Sequence, residues 1–188
     1  MRGHQVLKPH FLLGLGGTMR FGSSSERALR IAMEHAAERG AETLLITGAR
    51  LDLPTYDPAL DPTPAAEYVI DAVERADGVL LASPSYHGGM TGLLKNALDH
   101  LEALRDRPRP YLRDRAVGLI ATGDGWQGPN ATLQTLRMTV HTLQGWPTPL
   151  GIAHNVTDSG VEAVRPQLHL MADQVLDFAS LRAGAAVA

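Results

Sequence analysis

Ser83-Pro84-Ser85-Tyr86-His87-Gly88-Gly89-Met90-Thr91-Gly92-Leu93-Leu94-Lys95-Asn96-Ala97-Leu98-Asp99 is the stretch whose reading decides the fold. The run Asp77 to Ala82 before it is apolar and has the length of a buried strand. After it, Leu93, Leu94, Ala97, Leu98 and Leu101 recur at helical spacing. A Pro- and Gly-rich loop therefore joins the carboxyl end of a strand to the start of a helix. In an open α/β sheet that is where ligands sit. Pro84 cannot extend a ladder, Gly88 and Gly89 let a backbone come close, and Thr91 is placed to cap the helix. Such a loop offers amide N–H groups and one aromatic ring to a flat, polar-edged ligand.

Upstream, Phe11 to Leu15 reads as a first buried strand running into Gly16-Gly17-Thr18-Met19-Arg20-Phe21-Gly22-Ser23-Ser24-Ser25. A helix follows, with Ala28, Leu29, Ala32 and Ala36 on one face, and Ser23 and Glu26 have the spacing of a capping box. Glu42 to Thr47 is a second strand, and Ala65 to Ala76 a helix with Tyr68, Val69, Ala72 and Val73 on one side. Between them, Gly48 to Pro64 reads as one long surface loop. Downstream, Arg105 to Arg115 reads as a charged, solvated connector, and Ala116 to Ala121 as a fourth strand. That strand ends in Thr122-Gly123-Asp124-Gly125-Trp126-Gln127-Gly128. A helix over 132–143, a fifth strand over Thr148 to Ala153 and a last helix over 161–181, interrupted at Pro166, complete the pattern. Strands alternating with helices imply a three-layer α/β/α class with a parallel sheet, because right-handed crossovers must cover both faces.

Composition narrows the partners. A chain of 188 residues fits one domain, 1–188, with residues 1–10 and 183–188 expected to be flexible ends. Its net charge of −3 makes no electrostatic case for nucleic acid or an anionic membrane. The absence of cysteine excludes disulfides, thiolate metal sites and iron–sulfur clusters. The polar start is unlike a signal peptide, and no apolar run approaches the ~20 residues needed to span a bilayer. A cytoplasmic protein is expected. None of the eight histidines forms a helical i, i+4 pair, so no metal site is expected, and only His87 falls in a candidate ligand loop.

The first loop is the usual anion site of an α/β fold. Helix amides and the hydroxyls of Thr18, Ser23, Ser24 and Ser25 favour phosphate, and Arg20 adds a bidentate charge. A Walker A loop would place Lys after Gly22, where Ser23 stands. The Rossmann fingerprint needs a third glycine where Met19 stands, and no acidic residue ends the second strand. A hydroxyl-rich loop for one terminal monophosphate remains. A carboxylate beside phosphate would repel it, so Glu26 is expected to cap backward or face solvent.

Pro84-x-Tyr86-His87-Gly88-x-x-x-Gly92-x-Leu94-Lys95-Asn96-Ala97-Leu98-Asp99 resembles the flavin-edge loop of the NAD(P)H-dependent FMN reductases, which have a flavodoxin-like fold. Gly17-Thr18-Met19-Arg20 with its following serines is similar to that family's phosphate loop, and Thr122 to Gly128 to its loop beside the flavin pyrimidine. The resemblance, covering about Phe11 to Asn155, implies a five-stranded parallel sheet of order 2-1-3-4-5. It implies FMN bound with its phosphate at Thr18, Arg20 and Ser23 to Ser25, and its ring lined by Pro84, Ser85, Tyr86, His87 and Gly88. Thr122, Gly123, Asp124 and Gly125 would flank the pyrimidine side. The implied chemistry is hydride transfer from NADPH or NADH through FMN to a small-molecule electron acceptor: a flavin, a quinone or an azo compound. The flavin carries that chemistry, so no dedicated catalytic residue is required, with His87 the one candidate proton donor. A homodimer or homotetramer is expected, with Leu94, Leu98, Leu101 and Leu104 available to an interface. An electron carrier of the flavodoxin kind, or a flavin-free binding subunit of the same fold, stands as the alternative.

Overall fold

The computed structural model describes residues 9–185. Its strands are β1 (Phe11–Gly16), β2 (Glu42–Thr47), β3 (Gly78–Pro84), β4 (Ala116–Gly123), β5 (Trp146–Pro147) and β6 (Ile152–Asn155). Its α-helices are α1 (Ser24–Glu38), α2 (Pro64–Arg75), α3 (Gly92–Asp99), α4 (Gln127–Thr142) and α5 (Arg165–Ala185). All strand pairs are parallel, in the expected order β2-β1-β3-β4-β5, and β6 also pairs with β4.

Side-chain alternation along the central strands explains the three layers. Leu13, Leu15, Val79, Leu81, Val117 and Leu119 face the layer of α2, α3 and α4, while Leu12, Leu80, Ala82 and Ile120 face α1 and α5. On the second face the strands carry glycine where helices press closest. A Cβ on Gly118 would lie 2.4 Å from Leu80 and 3.1 Å from Met171 of α5, and one on Gly78 would lie 2.3 Å from Val175. The helices close with side-chain caps: Ser23, Thr63 and Thr91 each accept a first-turn N–H.

Several elements differ from the sequence reading, each for a local reason. The fifth strand is two pieces, β5 and β6, because Pro147 and Pro149 cannot sustain a ladder. Arg137 staples the break through the Thr148 and Pro149 carbonyls. Helix α4 begins five residues early, at Gln127, which shortens the third loop. The last helix is a 3-10 turn, Val161–Val164, followed by α5, in which Pro166 sits in the first turn where proline is tolerated. Tyr68 is exposed rather than on the core side of α2, where Ala66 and Ile70 are buried instead.

The 48–64 segment begins as a 3-10 turn, Gly48–Leu51, and buries Leu51 and Leu53. Asn96 and His100 pin it: Asn96 Nδ2 donates to the Leu53 and Pro54 carbonyls, its Oδ1 accepts from Tyr56 N, and His100 Nε2 lies 2.9 Å from Pro54 O. The 105–115 connector is not wholly solvated, since Leu112 and Arg115 are buried. Leu94, Leu98, Leu101 and Leu104 all belong to the core, so they are not available to an interface. At the chain ends, residues 1–8 and 186–188 lie outside the described residues. His10, expected to be flexible, approaches Ser180 at 3.0 Å, and 183–185 continue α5.

Candidate functional site

Three βα loops leave the carboxyl ends of β1, β3 and β4, which are adjacent strands in this order of pairing. The first is held from below. Gly17 N donates to Ala82 O at 2.7 Å and Thr91 Oγ1 donates to Gly17 O at 2.7 Å. A Cβ on Gly17 would lie 2.7 Å from that Thr91 oxygen and 2.8 Å from Leu94, so only glycine lets the loop sit this low. Thr18 Oγ1 accepts from Arg20 N, and Gly22, at φ +68°, turns the chain into α1.

At the start of α1, Ser23 Oγ accepts from Glu26 N at 3.3 Å and lies 3.3 Å from Ser25 Oγ. Glu26 caps backward, as expected, but onto Gly22 N at 2.7 Å rather than Ser23 N. Its carboxylate also meets Arg30 at 2.9 Å. The N–H groups of Ser24 and Ser25, in the first helical turn, have no intrahelical acceptor. Arg20 is exposed and forms no ion pair among the described residues.

The second loop is a tight hairpin. Tyr86 and Gly89 exchange N–H···O bonds at 3.1 Å each, around His87 (φ 53°) and Gly88 (φ 79°). Two consecutive positive φ values are the signature of a type I′ turn. Ser85 N donates to Thr122 O at 2.7 Å, and Ser85 Oγ meets Thr132 Oγ1 at 2.9 Å. The amides of Ser85, Tyr86 and Gly89 are thus committed. Those of His87 and Gly88 remain available.

Asn155 anchors the third loop. Its Oδ1 accepts from Gly125 N at 2.8 Å and from both Thr157 N and Oγ1, while Val156 N donates to Gly123 O. Gly125 has φ +71°, and Trp126 follows with its indole exposed at the first turn of α4.

Between the three loops lies an open cavity of about 310 Å³. Volume alone does not single it out, since a depression of about 470 Å³ lies at the opposite end of the sheet, beside Phe11 and Asp77. Convergence of loops does. Thr18, Arg20, Ser23, Ser24, Ser25, Pro84, Ser85, Tyr86, Thr122, Gly123 and Asp124 all line the cavity. Of the residues singled out in the sequence, His87, Gly88 and Gly125 do not: the first two form the hairpin tip, and the third is exposed just past Asp124 with its N–H bonded to Asn155 Oδ1. Sequence reasoning missed Val156, which lines the cavity, and Asn155 behind it. Their one signal is the turn-rich run Asn155-Val156-Thr157-Asp158-Ser159-Gly160 after the last strand. His154, read as lying beyond the fifth strand, belongs to β6 and is buried beside Thr122.

The sequence profile of the NADPH-dependent FMN reductases matches residues 12–157. The chain belongs to that family. An FMN-dependent NADPH-azoreductase of Staphylococcus aureus strain USA300 is 30% identical over 150 residues, 76% of this chain and 75% of that protein. One from Staphylococcus haemolyticus strain JCSC1435 is 36% identical over 88 residues, 47% and 43% of the two chains. Among solved structures, the NAD(P)H:(acceptor) oxidoreductase FerB of Paracoccus denitrificans superposes with a TM-score of 0.70 at 21% identity, covering 91% of this chain and 97% of that one. The apo form of the NADH:FMN oxidoreductase EmoB does so with 0.67 at 21%, covering 90% and 88%. These two likenesses concern the fold. Family membership makes the chain an oxidoreductase that works with FMN and a reduced nicotinamide.

The residues present fit that cofactor. One corner of the cavity gathers hydroxyls, two uncommitted helix amides and an unpaired guanidinium, a donor set suited to a phosphate monoester. The wall from Pro84 to Tyr86 offers a flat apolar edge, and the hairpin tip beyond it holds two free amides.

Proposed function

We propose that the protein is an NAD(P)H oxidoreductase whose bound FMN passes reducing equivalents to a flavin, quinone or azo-type acceptor. The convergence of three loops that together leave an unpaired Arg20 and uncommitted amides at one cavity carries this reading. In it, Thr18, Ser23, Ser24, Ser25 and Arg20 hold the phosphate. Pro84, Ser85 and Tyr86 border the ring, and the His87 and Gly88 N–H groups face its polar edge, where they stabilise negative charge without changing protonation. Gly123, Asp124 and Gly125 bring their backbone to the pyrimidine side. When bound, FMN supplies the electron relay between nicotinamide and acceptor. The protein binds, orients and leaves the outer ring face open, and His87, exposed at the hairpin tip, is not required as an acid.

A cytoplasmic homodimer or homotetramer is the proposed assembly. The open groove of about 460 Å³ between α3 and α4, edged by Tyr56, Lys95 and Leu143, is the proposed contact. The test of function is optical. The purified protein loaded with FMN is mixed anaerobically with NADPH or NADH, and its flavin absorbance should bleach, then return on adding a quinone or azo compound. A flavin that binds but is not reduced by either nicotinamide would leave an electron carrier; a protein that binds no flavin would overturn the site.

A further inference from the structure

Among the described residues, one fully enclosed side-chain polar atom beside the cavity has no hydrogen-bond partner. His154 is 2% exposed and its Nε2 touches no hydrogen-bond partner among the described residues. A buried nitrogen left this way carries the desolvation cost of a polar group with nothing to offset it. Such atoms are rare in folded proteins and call for an explanation.

The register gives its neighbourhood. His154 of β6 stands opposite Thr122 of β4. Two residues earlier on each strand, Ile152 and Ile120 pack under α1 and α5. Strand alternation therefore puts the His154 and Thr122 side chains on that same face, side by side. Thr122 is 2% exposed, lines the cavity together with Ser23, Ser24 and Ser25, and makes no side-chain hydrogen bond of its own. The turn after β6, Val161–Val164, packs against α1 on the same face. The Thr122 backbone belongs to the pyrimidine side of the cavity, but its hydroxyl belongs to the face of α1, where the phosphate donors are.

We propose that His154 is a positioning residue of the phosphate subsite, acting through Thr122. The two side chains make no hydrogen bond in this structure; when the Thr122 side chain turns toward a bound phosphate, the imidazole in its Nε2–H form donates to Thr122 Oγ1. That fixes the hydroxyl so that its own hydrogen points to the bound phosphate. The imidazole itself stays behind the wall, as the burial of its nitrogen requires. The inference rests on the FMN reading above and adds a residue to it that no loop motif contains.

The test is a double-mutant cycle read by flavin binding rather than by turnover. His154→Leu and Thr122→Val should each weaken FMN about tenfold, the worth of a hydrogen bond in this setting, and leave riboflavin within about twofold. The double variant should bind FMN no worse than the weaker single one, because the two side chains act as one unit. His154→Gln, which keeps a donor, should restore most of the loss. In the wild-type protein, nitrogen-15 NMR should show the His154 Nε2 resonance moving on adding FMN and not on adding riboflavin. Equal losses for both flavins, additive losses, or an Nε2 signal indifferent to FMN would each overturn the role of His154 while leaving the site intact. A wild-type protein that binds FMN no better than riboflavin would overturn the phosphate subsite and this inference together.

Discussion

The two ends of the sheet treat their polar groups in opposite ways. At the carboxyl end, three loops leave donors uncommitted: the Ser24 and Ser25 amides, the His87 and Gly88 amides, and the guanidinium of Arg20. Met19, Phe21, Tyr86 and Trp126 stand exposed on those same loops. At the amino end the guanidinium of Arg115 is buried and makes four hydrogen bonds to backbone carbonyls. Its Nε donates to Ala76 O at 2.9 Å, its Nη2 to Glu74 O at 2.7 Å, and its Nη1 to the Tyr111 and Arg113 carbonyls. Two of those carbonyls are at the carboxyl end of α2, where a cation offsets the helix dipole. The same side-chain type thus serves as a plug at one end and as a waiting ligand at the other, and only the state of its donors tells which.

Breaking the plug should have the largest effect. Burial, and then the neighbouring Arg109, lower the Arg115 pKa to about 10, with Asp77, Glu74 and Asp114 pulling the other way. It remains charged at neutral pH. Arg115→Ala should remove four hydrogen bonds, leaving Ala76 O only its bond from Arg109 Nη2, and cost about 3–5 kcal/mol, the range for opening a buried charged network. For a chain this size that is a fall in melting temperature of roughly 6–20 °C. Differential scanning calorimetry reads it, and FMN affinity measured well below the transition should be unchanged. A variant that melts normally would mean the four bonds contribute nothing net.

Arg20→Ala is the mirror of that change. It should leave the melting temperature of the flavin-free protein alone, because Arg20 is exposed and forms no ion pair among the described residues. FMN binding should weaken by about 1.5–3 kcal/mol, or roughly 10–150-fold, as for a lost charge-assisted hydrogen bond. Riboflavin, which has no phosphate, should bind as before. Fluorescence titration with both flavins decides it: equal weakening would show that Arg20 does not meet the phosphate.

This asymmetry also explains what was legible in the sequence. The site end is written in short-range chemistry: glycines at forced turns, a capping serine, a proline closing a strand. Each of those has a local reason that survives without coordinates, and the loops from β1, β3 and β4 were found by it. The plug is not local. Arg115 lies in a run of arginines and aspartates that reads as solvated, and only the return of α2 above it turns one of them inward. Asn155 and His154 escaped for a related reason. Two prolines split the last strand, so nothing in the sequence places those residues level with Thr122 and Gly123. Asn96 erred the other way, since it sits inside the motif that resembles the flavin loop yet pins the 48–64 segment.

The smallest effect should come from the seam that joins the two ends. Helix α1 opens at the cavity with Ser24, and its far half packs on α5 through His35, whose ring stacks on His169 at 4.1 Å and 7°. His35 Nε2 lies 3.0 Å from Asp173 Oδ1, and Arg39 meets the same carboxylate at 3.4 Å. Burial, then His35 and Arg165, hold the His169 pKa below its usual value, while Glu38 and Asp173 act in the opposite direction. A histidine with a lowered folded-state pKa takes up its proton later than it does in the unfolded chain. Its contribution is therefore complete above about pH 6.5 and is lost as the pH falls below that value, toward the folded-state pKa. The melting temperature should drop on going from pH 7.5 to 5.5, and His169→Gln should show a smaller drop. The half-exposed position of His169 keeps the difference below that of the two arginine variants. FMN affinity should not separate the two proteins across the same range, because the stacked pair lies on the half of α1 away from the phosphate donors. If His169→Gln instead binds FMN with an altered pH dependence, the seam transmits to the site, and the two ends are not independent.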